Sequence, residues 1–173
     1  MARTTIHEKA EFLSDAIFAS SDGIVTTFAI VAGAAGASLE ANIVLILGFA
    51  NLFADGFSMA AGSYLGVKSE IEYEEAKGKD GDDEGSPLKH GIVTFATFNI
   101  AGLIPLLPFV FGMDGAFAAS TVLVGFALMT VGVLRSLYTK KNVFKSGFEM
   151  FMVGGFGAFV AFVVGFLLDH YVV

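Results

Sequence analysis

NIVLILGFANLFADGFSMAAGSYLG, residues Asn42–Gly66, holds one charged side chain, Asp55, in 25 residues. Coiled as a helix with about 1.5 Å rise per residue, it is long enough to cross a hydrocarbon core of roughly 30 Å. Its apolar residues do not alternate with period two, which excludes a barrel strand. Four further stretches share this character, at 16–37, 91–111, 116–137 and 147–168. The sequence therefore predicts an all-α integral membrane protein, a bundle of five transmembrane helices. Composition agrees: 55% of residues are hydrophobic, mean hydropathy is +0.73, and charged residues make up only 16%, against about 25% in soluble domains. Asp22 and Gly23 interrupt the first apolar run and no cleavage pattern follows, so it reads as a helix rather than a secretory signal.

All ten basic residues cluster on one side of this map. Arg3 and Lys9 precede the first helix, Lys68, Lys77, Lys79 and Lys89 flank the connection between helices two and three, and Arg135, Lys140, Lys141 and Lys145 flank that between four and five. The links near Ser38–Ala41 and Gly112–Gly115, and the tail after Leu168, carry none. The positive-inside rule then predicts a cytoplasmic N-terminus and a C-terminus across the membrane. The expected organisation is a cytoplasmic segment 1–15, helices one and two over 16–66, a short acidic cytoplasmic linker 67–90, and helices three to five with a short tail over 91–173. Within 68–90, eight acids face four lysines, and Gly78, Gly81, Gly85 and Pro87 end any helix arriving from the second span. The linker reads equally as a solvated loop or as a weak gatherer of cations.

A carboxylate inside a span costs about 2.5–3.5 kcal/mol on insertion scales, so each one needs a partner or a purpose. Three acids qualify: Asp22, Asp55 and, at the cytoplasmic entrance of helix five, Glu149. Asp22 reads as about two turns into helix one and Asp55 as deeper. Asn51, Asp55 and Met59 are four residues apart and share one stripe of helix two, which continues through Gly62, Gly66, Glu70 and Glu74 towards the linker. Carboxylate and amide oxygens suit hard divalent ions, and a thioether adds affinity for softer transition metals. Competing readings are that Met59 is only packing and that Asp22-Gly23 caps or breaks a helix. Asp55 has no intramembrane Lys or Arg to pair with in this reading, so its counter-charge is a proton or a metal ion. Pro105 and Pro108 predict a kink in helix three. Gly33–Gly36, Gly62 with Gly66, and Gly154, Gly155 and Gly157 predict close helix packing, and a homodimer would place two polar stripes along a shared path. His7, His90 and His170 read as lying outside the spans, in solvent. With no cysteine, thiolate sites and disulfides are excluded.

SDGIVTTFAIVAGAAGAS (Ser21–Ser38), ANLFADGFSMAAGSYLGVKSE (Ala50–Glu70), PLKHG with IPLLPF (Pro87–Phe109) and GFEMFMVGGFGAFVAFVVG (Gly147–Gly165) resemble, in order, the vacuolar iron transporter family. The SDG and DGFSMA segments are the specific part. The resemblance implies a five-helix homodimer that moves ferrous iron, often manganese as well, out of the cytoplasm in exchange for protons. It implies that Asp22 and Met59 face the path at the dimer interface. Eukaryotic members are expected to carry a glutamate where this chain has Asn51, and a long glutamate-rich cytoplasmic domain where it has a short linker. Those departures favour a prokaryotic cell membrane, with an organelle membrane still open, and make metal storage by Glu70, Glu72, Glu74 and Glu75 doubtful.

The expected cargo is thus Fe²⁺ or Mn²⁺, held by Asp22, Asp55, Met59, Glu149, Asn51, Glu70 and Glu74, with protons, lipid and a second copy as partners. No resident cofactor, catalytic residue or nucleic acid is expected. Two other readings stay open. Asp22 and Asp55 on adjacent helices can form an intramembrane aspartyl protease dyad, although the GxGD pattern expected of such a protease is missing. A membrane protein that binds metal without transporting it is the other.

Overall fold

A computed structural model describes residues 2–78 and 85–172, with side chains described over 10–78 and 85–172. Among the described residues every regular element is helical: α1 (Ala2–Gly36), α2 (Ala41–Ala76), α3 (Pro87–Gly102), a 3-10 turn (Ile104–Leu106), α4 (Leu107–Val110), α5 (Ala116–Thr139) and α6 (Val143–Tyr171). Five segments are long and apolar enough to cross a membrane: Ala10–Gly36, Ala41–Ala76, Pro87–Val110, Ala116–Thr139 and Val143–Tyr171. They cover the five stretches expected from hydropathy, save one residue at the ends of the first and third, Ala37 and Phe111. Large apolar side chains cover the outside, among them Phe57, Phe144 and Phe156, as lipid requires of a bundle with few buried faces.

Of the five, α1 is central. It packs against α2, α3, α5 and α6 and contributes Ala19, Ile24, Phe28 and Val31 to the core, where they meet Leu52, Phe98, Leu106 and Leu128. Its span is also the least apolar and the most buried. A helix wrapped by protein tolerates polar side chains that a lipid-facing helix cannot. Hydroxyls on it turn inward to the backbone: Ser20, Ser21 and Thr26 donate to the carbonyls of Ala16, Ile17 and Asp22, which removes the cost of an unmet donor in a dry setting.

Close approach sets the crossings. A Cβ on Gly165 of α6 would overlap the carbonyl of Gly33 on α1, and one on Gly36 would overlap that of Phe162. The small-residue pattern at Gly33–Gly36 thus pairs with α6. The predicted kink is present as a break. Pro105 and Pro108 cannot donate to the carbonyls of Ala101 and Ile104, so α3 stops and a 3-10 turn intervenes. Ser120 of α5 donates a 2.7 Å hydrogen bond to the Pro105 carbonyl within this break. Gly78, at φ +74, closes α2 as expected; Lys79 and Gly81 lie outside the described residues.

Three expectations need correction. First, α1 begins at Ala2 rather than near 16, and α2 runs to Ala76 rather than 66. Helical hydrogen bonds continue into polar sequence that a hydropathy window discards, supported on α2 by the exposed Lys68–Glu72 pair at 3.7 Å. Second, His90 is not solvated. It sits in the first turn of α3 and is 1% exposed, because the added turns of α1 and α2 wall it in. His170 is exposed as expected, in the last turn of α6; the side chain of His7 lies outside the described residues. Third, Asp22-Gly23 neither caps nor breaks a helix, since α1 runs unbroken through both.

Replacing Gly165 with Val should cost about 1–3 kcal/mol by overpacking and lower the apparent Tm in detergent by several degrees. Gly155→Ala, where an added Cβ meets nothing within 4 Å, should leave it unchanged.

Candidate functional site

Helix α3 sets the depth of the acids. The backbone of Phe98 leaves no room for a Cβ on Gly23, while a Cβ on Gly56 would meet Asn99 Nδ2 at 2.5 Å and Phe98 Cδ1 at 3.2 Å. The glycine that follows each aspartate therefore lets α1 and α2 both close on Phe98 of α3, with Asn99 against α2. Asp22 and Asp55 lie at one level, near enough for their charges to repel. This corrects the expectation that Asp55 is deeper: α1 and α2 overrun their apolar stretches by different lengths, so depth counted from those ends misleads.

Nearer the 2–3 linker a cavity of about 490 Å³ opens between α1, α2 and α3. Helix α2 contributes Met59, Gly62, Ser63, Gly66 and Glu70, α1 contributes Glu11 and Asp15, and α3 contributes His90 and Thr94. Its floor is a hydrogen-bonded cluster. Asp15 Oδ2 accepts from Ser63 Oγ at 3.3 Å and lies 2.6 Å from His90 Nδ1, and the His90 ring stacks on Phe12 at 4.0 Å. His90 Nε2 and Thr94 Oγ1 are buried without a hydrogen-bond partner.

The predicted residues divide between places. Met59 and Glu70 line this cavity, and Glu74 continues the α2 stripe one turn beyond it, half-buried. Asp55 and Asn51 continue the stripe one and two turns deeper from Met59, both half-buried, with Asn51 Nδ2 lacking a partner. Asp22 lines a second groove of about 640 Å³ between α1, α5 and α6, shared with Arg135, Tyr138 and Met150. Glu149 is not brought to either place. It is exposed and lies 3.7 Å from Arg135 Nη1, a surface pair worth at most about 1 kcal/mol. Arg135 itself lies four residues before the end of α5 at Thr139. Among the described residues of one chain, no three His, Asp or Glu side chains gather as a metal cage.

Asp15, Ser63 and His90 were missed by the sequence reading. Asp15 lies seven residues before Asp22, on the same helical face, one position outside the expected span. His90 was discounted with the linker.

A model of the VIT family matches residues 13–84 and 77–166. The chain belongs to the VIT family. The two matched parts meet at the 2–3 linker, as expected where other members carry an insertion. A protein named vacuolar iron transporter from Toxoplasma gondii (strain ATCC 50861 / VEG) is 28% identical over 227 residues, covering 92% of this chain and 75% of its own length. That alignment is longer than this chain, so the relative carries residues that this chain lacks. Vacuolar iron transporter homolog 3 of Arabidopsis thaliana is 30% identical over 171 residues, covering 92% of this chain and 83% of its own. Vacuolar iron transporter 1 of the same plant is 25% identical over 219 residues. VIT family members are named as transporters and not as enzymes, which answers the protease reading of Asp22 and Asp55.

Proposed function

We propose that this VIT family chain exports a divalent transition metal ion, Fe²⁺ or Mn²⁺, from the cytoplasm in exchange for protons, and that it works as a homodimer. The carrying observation is the α2 stripe. Asp55, Met59 and Glu70 follow one helical face whose Gly62 and Gly66 have nothing within 4 Å of an added Cβ, and that face ends in a cavity. Among the described residues, one chain gathers no group of three His, Asp or Glu to cage an ion; a second copy set against the same open face supplies the rest. The names of the relatives point to iron as cargo, and the mixed carboxylate and thioether donors suit it.

In this reading residues 1–15 and the linker 67–90 face the cytoplasm, the C-terminus lies outside, and the host is a prokaryotic cell membrane. Metal enters at Glu70 and passes Met59, where the thioether favours transition metals over Mg²⁺. It sheds part of its water at the level of Asp22 and Asp55, with Asn51 beyond. Each carboxylate takes up a proton as the ion leaves, so the path never holds an uncompensated charge in low dielectric. Glu149, paired with Arg135 at the surface, takes no part.

In proteoliposomes Asp55→Asn should cut Fe²⁺ or Mn²⁺ flux more than tenfold, on the order of the roughly 1.4 kcal/mol that each factor of ten represents, while Glu149→Gln transports normally. Unchanged flux in Asp55→Asn sinks the assigned path. Metal binding with no flux in the native protein favours the non-transporting alternative. Because the chain has no native cysteine, Gly62→Cys should cross-link to a dimer on oxidation in membranes; a purely monomeric band contradicts the dimer.

A further inference from the structure

The cluster of Asp15, Ser63 and His90 has no part in that path, yet it forms the floor of the cavity at its mouth. We propose that His90, held by Asp15, is a proton-binding site that competes with the cation at this inner mouth. The inference rests on the transport reading and adds to it a place where the counter-ion is held.

The geometry makes the case. Imidazole is the side chain whose charge changes between pH 5 and 8, and here it is 1% exposed, fixed by a 2.6 Å contact from Nδ1 to Asp15 Oδ2 and by stacking on Phe12. With Nδ1–H donating to the carboxylate, Nε2 presents a lone pair that no protein group meets. A buried polar atom left unmet is costly. In a cavity wall it is a site awaiting a ligand. A proton reaching that lone pair gives an imidazolium beside the Asp15 carboxylate; its release returns the proton to water, and no other bond changes.

Among the described residues, the charged groups that face this site are few. From α1 they are Glu11 and Asp15, from α2 Glu70, and on α3 itself Lys89 is exposed beside it. The neutral ring leaves the cavity net negative and receptive to a divalent cation. The protonated ring adds a positive charge on the wall that Met59 and Glu70 share, and cation and proton exclude one another. The orphaned Thr94 Oγ1, one helical turn from His90, lines the same wall.

The test is Mn²⁺ binding to the full-length protein in detergent between pH 5.5 and 8, compared with His90→Gln, which keeps an amide donor for Asp15 but does not titrate. In the native protein apparent affinity should fall by up to about tenfold per pH unit on the acid side, as one-proton competition requires. In His90→Gln the fall should be clearly shallower, retaining only the share that the path carboxylates contribute. A His90→Gln profile as steep as the native one overturns the proposal. A second measurement covers a variant that fails to fold. The chain has three histidines, so His7→Gln with His170→Gln leaves His90 as the one imidazole signal in an NMR titration. Saturating Zn²⁺, a diamagnetic probe, should move that titration to lower pH, and an unmoved titration overturns the proposal. Absence of Mn²⁺ binding by the native protein at every pH contradicts the transport reading instead, while the NMR titration still reports on His90 itself.

Discussion

A carboxylate in hydrocarbon must be surrounded by protein, water or a counter-ion, and the architecture follows from meeting that demand for Asp22 and Asp55. Helix α1 carries one of them and is the helix that all the others cover. The glycines that follow the aspartates let α1 and α2 close on Phe98 and Asn99 of α3, so both acids arrive at one level. Phenylalanines on the outer faces of α2 and α6 meet the lipid and leave the polar side chains to the interior and to the open α2 face. That open face, where an added Cβ on Gly62 or Gly66 meets nothing within 4 Å, is why the functional reading calls for a second copy.

Much of this was legible beforehand because lipid imposes strict rules. Spans of about 20 apolar residues, links at Ser38–Ala41 and Gly112–Gly115, the proline break in helix three and the stop at Gly78 all follow from local chemistry, and all are present. The stripe of Asp55, Met59 and Glu70 was visible as spacing alone. What hydropathy could not show was where helices end. Polar turns continue α1 back to Ala2 and α2 on to Ala76, and those turns enclose His90 and place Asp15 against it. A histidine next to a linker looks solvated until the helices beside it are known to outlast their apolar runs.

The same cause explains the error over depth. Asp22 and Asp55 were ranked by distance from the ends of their apolar stretches, but those ends do not share a plane. Contacts with α3 do, and they put the two aspartates together. Glu149, at the cytoplasmic entrance of helix five, was the weaker candidate because it could reach water unaided, and an arginine one helix away partners it at the surface. Position along a helix alone did not place these acids. Their neighbours on other helices separated a candidate ligand from a surface charge.

The most direct test of the central claim is a crystal structure of the protein soaked in Mn²⁺, read by anomalous scattering, which identifies the element and its ligands together. The account predicts a peak on the α1–α2 face at the level of Asp22, Asp55 and Met59, with ligands from two copies of the chain. Peaks confined to surface acids such as Glu72 or Asp114, with that level empty, would contradict it.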